Sequence, residues 1–352
     1  MSTESQAPPA RADVVGAYRN LLGRDPESEE VIQEHLRVAG TRQTMLKNIQ
    51  QSREFRARLN WIRLFHYHAI FDLTEVINRH AVENLEPDPA VFTNYLGVKI
   101  APHFFPALMP VRAGQIDDIP IPANWHADMA EWGAALRAVE LAGSVFTVVE
   151  LGCGWGCWIN NTGLAARRLG KAVKLVGVEA DAGHLDFARE ACALNGFEPE
   201  QVTLVQGVAG ARNGVALFPK GTAGENWGRE PIFDADETFR AKAVAEGHYE
   251  ELPVIALDQL VKPDHHRIDL LHLDIQGGEA DLVRSCRSLL DEIVAYVVVG
   301  THSREIEGRL FSDFLAAGWH LEVERPAILS LEQGKPVVTI DGVQAWRNPR
   351  LT

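Results

Sequence analysis

At 352 residues, 46% of them apolar, the chain is long enough for two domains and a sizeable packed core. Its formal net charge of -14, with no basic run beyond Arg167-Arg168, speaks against a nucleic-acid partner, because neutralising phosphates requires a basic face. Cys153, Cys157, Cys192 and Cys286 form neither a CxxC pair nor a metal-finger spacing, so they read as small buried residues of a reducing compartment.

The opening Met1-Ser2-Thr3-Glu4-Ser5-Gln6 lacks a basic and apolar leader pattern, and no stretch approaches the ~20 apolar residues of a membrane span, so a cytoplasmic protein is expected. Residues 1–12 are expected to be a disordered tail, with order beginning near Asp13. Val14, Tyr18, Leu21 and Leu22 then recur at helical spacing, and Gly23 stands at a stop position. Asp25-Pro26 predicts the cap and first turn of a second helix carrying Ile32 and Leu36. Met45 and Ile49 predict a third helix, and Phe55, Leu59, Ile62 and Phe65 a longer one after Ser52. Residues 13–84 thus read as a helical accessory domain. The wording Ala17-Tyr18-Arg19-Asn20-Leu21-Leu22-Gly23-Arg24-Asp25-Pro26, with Ser52-Arg53-Glu54-Phe55, resembles a small helical domain of unknown function found in bacterial surface and glycan-associated proteins. It carries no catalytic constellation and reads as a packing or dimerisation module, which leaves a homo-oligomer open.

Residues 85–123 form a connector interrupted by seven prolines between Pro87 and Pro122. Tyr95, Ile100, Phe104, Phe105, Leu108 and Met109 are apolar enough to pack it onto the C-terminal domain, over a cofactor or an acceptor. From Asn124 to Leu141 a helical pattern (Met129, Trp132, Leu136, Val139) opens that domain, which spans 124–352. It reads as strand (146–151), helix (157–169), strand (174–180), helix (183–195) and strand (202–206), an alternation that means a parallel sheet with helices on both faces. A helix over 278–290, a strand over 293–299, a helix near 305–317 and strands near 319–324 and 336–346 complete it, the last two as an antiparallel edge hairpin.

The first strand breaks into Gly152-Cys153-Gly154-Trp155-Gly156, with glycine at every second position. Three missing Cβ atoms on one side of a strand-to-helix turn admit a ligand to the backbone. Ile159 stands where a dinucleotide fingerprint counted from Gly154 needs its third glycine, so a nicotinamide oxidoreductase is disfavoured and S-adenosylmethionine is favoured. The next strand ends at Glu179, placed to accept both ribose hydroxyls, with Asp181 as a helix cap. These features resemble the class I methyltransferases. The resemblance implies that the loop, with Glu150 before it, wraps the methionine portion, that Glu179 holds the ribose, and that the backbone from Gln206 to Val208 meets the adenine.

A second block, Ile268-Asp269-Leu270-Leu271-His272-Leu273-Asp274-Ile275-Gln276-Gly277-Gly278-Glu279, preceded by Leu257-Asp258-Gln259-Leu260, resembles the FkbM methyltransferases over roughly residues 145–346. His272 replaces the family's lysine and Gln276 its glutamate, whereas Asp274, Gly277 and Glu279 match. The resemblance implies a doubly wound, mostly parallel seven-stranded α/β sheet, Rossmann-like, with a cofactor-facing Asp274. It further implies an O-methyltransferase acting on a saccharide or glycan hydroxyl, with a polyketide, peptide or other secondary metabolite as the alternative acceptor and a cofactor-binding scaffold as the non-enzymatic one.

Oxygen methylation needs the acceptor in line with the methyl and a group to take the hydroxyl proton. His302, on the same sheet edge as Gly154 and Asp274, is the expected base, and His272, which shares strand parity with Asp274, is the reserve. Asp274, Glu279 and His302 are also of a type to ligate a divalent metal, although nothing in their spacing demands one. The long excursion from Pro219 to Glu251 offers Asn226 and Trp227 as an acceptor loop, a flat ring and an amide for a sugar.

Overall fold

The computed structural model describes residues 8–55, 68–260 and 267–352. The chain divides into two units, Met1–His66 and Tyr67–Thr352.

In the first unit, α1 (Arg11–Ala17) runs into a π-turn (Tyr18–Leu22) that ends at Gly23, whose φ of 70° takes the left-handed conformation glycine tolerates. Order therefore begins before Asp13; residues 1–7 lie outside the described ones. α2 (Glu29–Val38) starts after Ser28 rather than at Asp25-Pro26, because the Asp25 carboxylate is engaged by Arg19 instead of capping. α3 (Arg42–Gln51) is capped by Thr41, whose hydroxyl accepts the Thr44 N–H. Val14, Ile32, Met45 and Ile49 bury the apolar stripes of the three helices against one another. Ser52 accepts the N–H of Phe55, as at a helix start, and Leu59, Ile62 and Phe65 of the expected longer helix lie outside the described residues.

The second unit is built on an eight-stranded sheet: β1 (His68–Ala69), β2 (Val145–Leu151), β3 (Ala172–Glu179), β4 (Val202–Gln206), β5 (Leu270–Leu273), β6 (Tyr296–Thr301), β7 (His320–Arg325) and β8 (Gly342–Arg347). Their order is β1-β7-β8-β6-β5-β2-β3-β4. The stretch from β6 through β4 is parallel, and β8 runs antiparallel between β6 and β7. Helices cover both faces, so β5 and β6 are buried at every residue and read as continuous apolar runs.

Three sequence expectations need correction. The sheet has eight strands, not seven, because the short β1 pairs with β7 at its edge. β1 belongs to a stretch assigned by pattern to the helical domain, and α4 (Leu73–His80) likewise packs on α5 (Met129–Leu141), where a Cβ on Gly133 would fall 2.5 Å from Leu73. The division thus falls before Tyr67 and not after Asn84. Finally, the last strand is no edge: β8 inserts inside the sheet, and the residues between β7 and β8 form their own hairpin, Ile328–Glu332 with Lys335–Ile340.

α6 (Cys157–Arg168) and α7 (Ala182–Leu194) follow β2 and β3. After β5 the expected single helix is two, α9 (Glu279–Ser285) and α10 (Arg287–Ile293), hinged at Cys286, after α8 (Glu237–Ala245) in the excursion. The excursion is only partly loop, since Gly214–Pro219 pairs with Tyr249–Ile255, which pairs in turn with Val208–Ala209. The connector is irregular but buried at Tyr95, Ile100, Phe104 and Met109. Asn94 donates to Asn161 of α6 at 2.6 Å, and Asn195 exchanges two hydrogen bonds with the Lys99 backbone, so its missing ladder bonds are replaced by side chains. Among the described residues no helix is long and apolar enough to cross a membrane, and all four cysteines are free.

Candidate functional site

The β2–α6 turn holds Gly152, Gly154 and Gly156 at φ of 78°, 52° and 78°. At Gly152 the need is steric as well, because a Cβ there would lie 2.0 Å from the Asp274 carbonyl oxygen on the neighbouring strand. Glu150, buried at the end of β2, accepts the N–H groups of Trp158 and Ile159, satisfying two orphan donors at the start of α6. Burial pushes its carboxyl up to about 7 against the pull of His272 and these bonds. Glu150 therefore caps the helix beneath the glycine loop while still lining the cavity above.

At the tip of β3, Glu179 takes the Gly154 N–H on one oxygen and the Asp181 N–H on the other, both at 2.8 Å. Burial raises its pKa. Asp181 caps α7 through the His184 N–H and pairs with Arg229. Val208 leaves β4 beside Glu179, on the wall of the same cavity.

Asp274, Glu279 and His302 come together beyond β5 and β6. His302 Nδ1 lies 2.8 Å from Glu279, and Nε2 lies 3.2 Å from Asp274 and 2.9 Å from the Gln276 carboxamide. Burial opposes a charge on His302, yet the two carboxylates override it and raise its pKa to about 11. The expected base is thus corrected: both ring nitrogens are engaged and the proton is held far above neutrality, so His302 has no lone pair to offer a hydroxyl. Burial also opposes the charge of Asp274, but His302 keeps its pKa below the ordinary value. The ligand atoms of the three residues lie within 4.8 Å of one another, but each is already satisfied by the others, and nothing further in the geometry calls for a cation.

His272 differs. Its Nε2 meets Glu131 of α5 at 2.9 Å, its ring stacks on Trp158 at 5.2 Å, and its Nδ1 is buried with no partner among the described residues. Burial, the largest single influence, lowers its proton affinity, and the Glu131 hydrogen bond together with the charges of Glu131, Glu150 and Asp274 outweighs it, for a net upward shift. Strand parity gave His272; nothing in the sequence pointed to Glu131, 141 positions away on α5.

The excursion is not where its composition placed it. Trp227 stacks on Phe105 (4.6 Å, 23°) and on His184 (3.9 Å, 2°). Two rings this near to parallel and this close cannot share one face, so the indole is sandwiched. A sugar therefore has no open face of Trp227 to stack on, which corrects the expected acceptor platform. Asn226 is exposed beside it.

A cavity of about 270 Å³ gathers these groups: Gly154, Glu179 and Val208 on one side, Glu131, His272, Asp274 and Gln276 on the other, with Phe105 from the connector and His126 just after it. Its size is near the lower end of small-molecule sites, roughly 300–1,000 Å³.

The description "Methyltransferase FkbM domain" matches residues 143–317. A protein of Jannaschia sp. (strain CCS1), described as a candidate methyltransferase, is 46% identical over 266 residues, covering 75% of this chain and 94% of its own length. Among solved structures, the methyltransferase FkbM of Methylobacillus flagellatus KT aligns with 10% identity and a TM-score of 0.37 over 60% of this chain and 53% of that one. The N-terminal domain of human METTL16, in complex with SAH, aligns with 12% identity and a TM-score of 0.34 over 66% and 75%. These two likenesses concern fold alone.

Proposed function

Because the chain belongs to the FkbM methyltransferase family, we propose that it moves the methyl group of S-adenosylmethionine to a hydroxyl oxygen, in the first instance of a saccharide or glycan precursor. The observation that carries this reading is one cavity lined both by the glycine loop with Glu179 and by a histidine backed by a carboxylate. S-adenosylmethionine, when bound, supplies an electrophilic methyl on sulfur. The residues fit it: the buried Glu179 keeps one lone pair on each oxygen for ribose hydroxyls.

An alcohol must lose its proton as the new bond forms, and His272 is the group able to take it. Glu131 holds Nε2–H, which fixes the tautomer and leaves the Nδ1 lone pair free, the same division of labour as in carboxylate–histidine pairs generally. The saccharide acceptor rests on the family resemblance. A polyketide or peptide hydroxyl is the competing reading.

The test is a methyl-transfer assay with isotope-labelled cofactor on saccharide precursors and, in parallel, on hydroxylated metabolites. Labelled methyl ether on a sugar is the expected product, and the NMR shift of the transferred carbon tells it from an N-methyl or S-methyl. Exclusive labelling of nitrogen, or of non-sugar hydroxyls, overturns the proposal. Calorimetry with S-adenosylhomocysteine and with NAD gives the cofactor independently; binding of NAD alone would sink it.

A further inference from the structure

The excursion's first arm, residues 219–231, folds back over the cavity instead of standing away from it. Four contacts fasten it. Ala223 presses on Gly183 so closely that a Cβ there would lie 2.6 Å away, and the Gly224 N–H donates to His184 Nε2 at 3.1 Å. The Arg229 guanidinium, with only 10% of the side chain exposed, pairs with Asp181 and donates to the Pro219 carbonyl at 2.7 Å. The edge of Trp227 rests on the glycine loop, 3.2 Å from where a Cβ of Gly154 would be. All four anchors sit at the tip of β3, the first turn of α7 or the β2–α6 turn.

The side chains this arm presents to the cavity, Asn226, Trp227, Arg229 and Pro231, border it together with Glu179, Ala180 and Val208. A ribose held by Glu179 would therefore have Asn226 and Pro231 as further neighbours. Asn226 is exposed and bonds, among the described residues, only through its backbone carbonyl, which accepts from Arg229 Nε at 3.3 Å, so its carboxamide leaves one acceptor and two donors available to a heterocycle.

We propose that residues 219–231 are a nucleoside-binding strap: they close the adenosine end of the cofactor site, with the Asn226 carboxamide contacting the base or ribose and the Arg229–Asp181 pair holding the strap shut. This assignment rests on the reading that the cavity takes S-adenosylmethionine, and it replaces the acceptor loop that tryptophan beside asparagine had suggested.

The experiment compares two ligands, S-adenosylhomocysteine and 5′-methylthioadenosine, which share the nucleoside while the second lacks the amino-acid part. Calorimetry on the full chain gives each dissociation constant for wild type, Asn226→Ala and Arg229→Ala. Asn226→Ala removes an exposed side chain with no hydrogen bond among the described residues and keeps the carbonyl that accepts from Arg229, so it keeps the fold and its outcome reports contact. The expected result is a loss of about tenfold for both ligands and by the same factor in each variant, the effect of one hydrogen bond or one tether. Unchanged affinities in Asn226→Ala, or a loss confined to S-adenosylhomocysteine, overturn the strap while leaving the cofactor reading intact. A wild-type chain that binds neither ligand overturns the cofactor reading itself.

Discussion

Two histidines, His272 and His302, flank Asp274 on adjacent strands, and each is held by carboxylates, yet they are fitted for opposite chemistry. His302 has a carboxylate on each nitrogen, one of them Glu279 with a fully buried side chain, so each ring N–H has an acceptor. His272 has a carboxylate on one nitrogen only, and the other is buried with no partner among the described residues. The number of carboxylates matters more than the presence of histidine: two make a fixed cation that braces the β5 and β6 tips, and one makes an oriented imidazole that can exchange a proton.

The sharpest way to break this contrast is His302→Ala. Removing the cation leaves Glu279 buried without its partner, although the N–H groups of Ile275 and Gly277 still bond it. A loss of about 3 kcal/mol in denaturant unfolding is expected, the lower end of the range for a broken buried pair. The pH dependence comes from the raised pKa of about 11. A group that binds its proton more tightly when folded contributes fully below the unfolded imidazole value, ~6.5, and loses that contribution as pH rises towards the folded one. Wild-type stability should therefore fall across the alkaline range, and the variant should lack that component. Equal stability of the two proteins at neutral pH would mean that His302 braces nothing.

Next in size is His272→Ala, expected to lower methyl transfer about 10²-fold or more, the range for loss of a general base, while S-adenosylhomocysteine binds within a few-fold of wild type. Wild-type turnover in this variant would return the search for a base to the acceptor itself. Glu179→Ala sits beside it in the opposite readout. Its nucleoside affinity should fall by about 1.5–3 kcal/mol through lost charge-assisted hydrogen bonds, and calorimetry with S-adenosylhomocysteine measures it. If that affinity is unchanged, Glu179 serves only to brace the Gly154 and Asp181 backbone.

How much the sequence made legible depends on how local each signal is. The βα alternation, the glycine turn and the acid at the tip of β3 are short-range patterns, and their elements fall within two residues of expectation. β1 escaped notice because two residues carry no periodicity, and only β7, over 250 positions later, makes them a strand. The roles of His272 and His302 escaped for the same reason. A histidine's proton affinity is set by the carboxylates that tertiary packing brings to it, and Glu131 and Glu279 reach their histidines from different helices. Composition misled outright at Trp227, where an aromatic ring beside an asparagine looked like a sugar platform but has both faces covered by Phe105 and His184.

The smallest expected effect is also the one that separates an oriented base from a packed histidine. Glu131→Gln keeps the size of the side chain and a carbonyl oxygen to accept from His272 Nε2, so packing against Trp158 is preserved. What disappears is the negative charge. In the wild type burial lowers the proton affinity of His272, and the Glu131 bond and charge together with the Glu150 and Asp274 charges more than restore it, so removing the Glu131 charge strips away part of that opposition and the pKa drops. Transfer rate, which rises as His272 loses its proton, should then reach its plateau at a lower pH than in the wild type. The plateau itself should be lower, because a base of reduced proton affinity takes the hydroxyl proton less readily. A structural role for Glu131 would lower the rate at every pH and leave the limb where it was. A rate–pH profile with an unmoved limb therefore removes the Glu131–His272 pair from the chemistry, whatever the size of the rate loss.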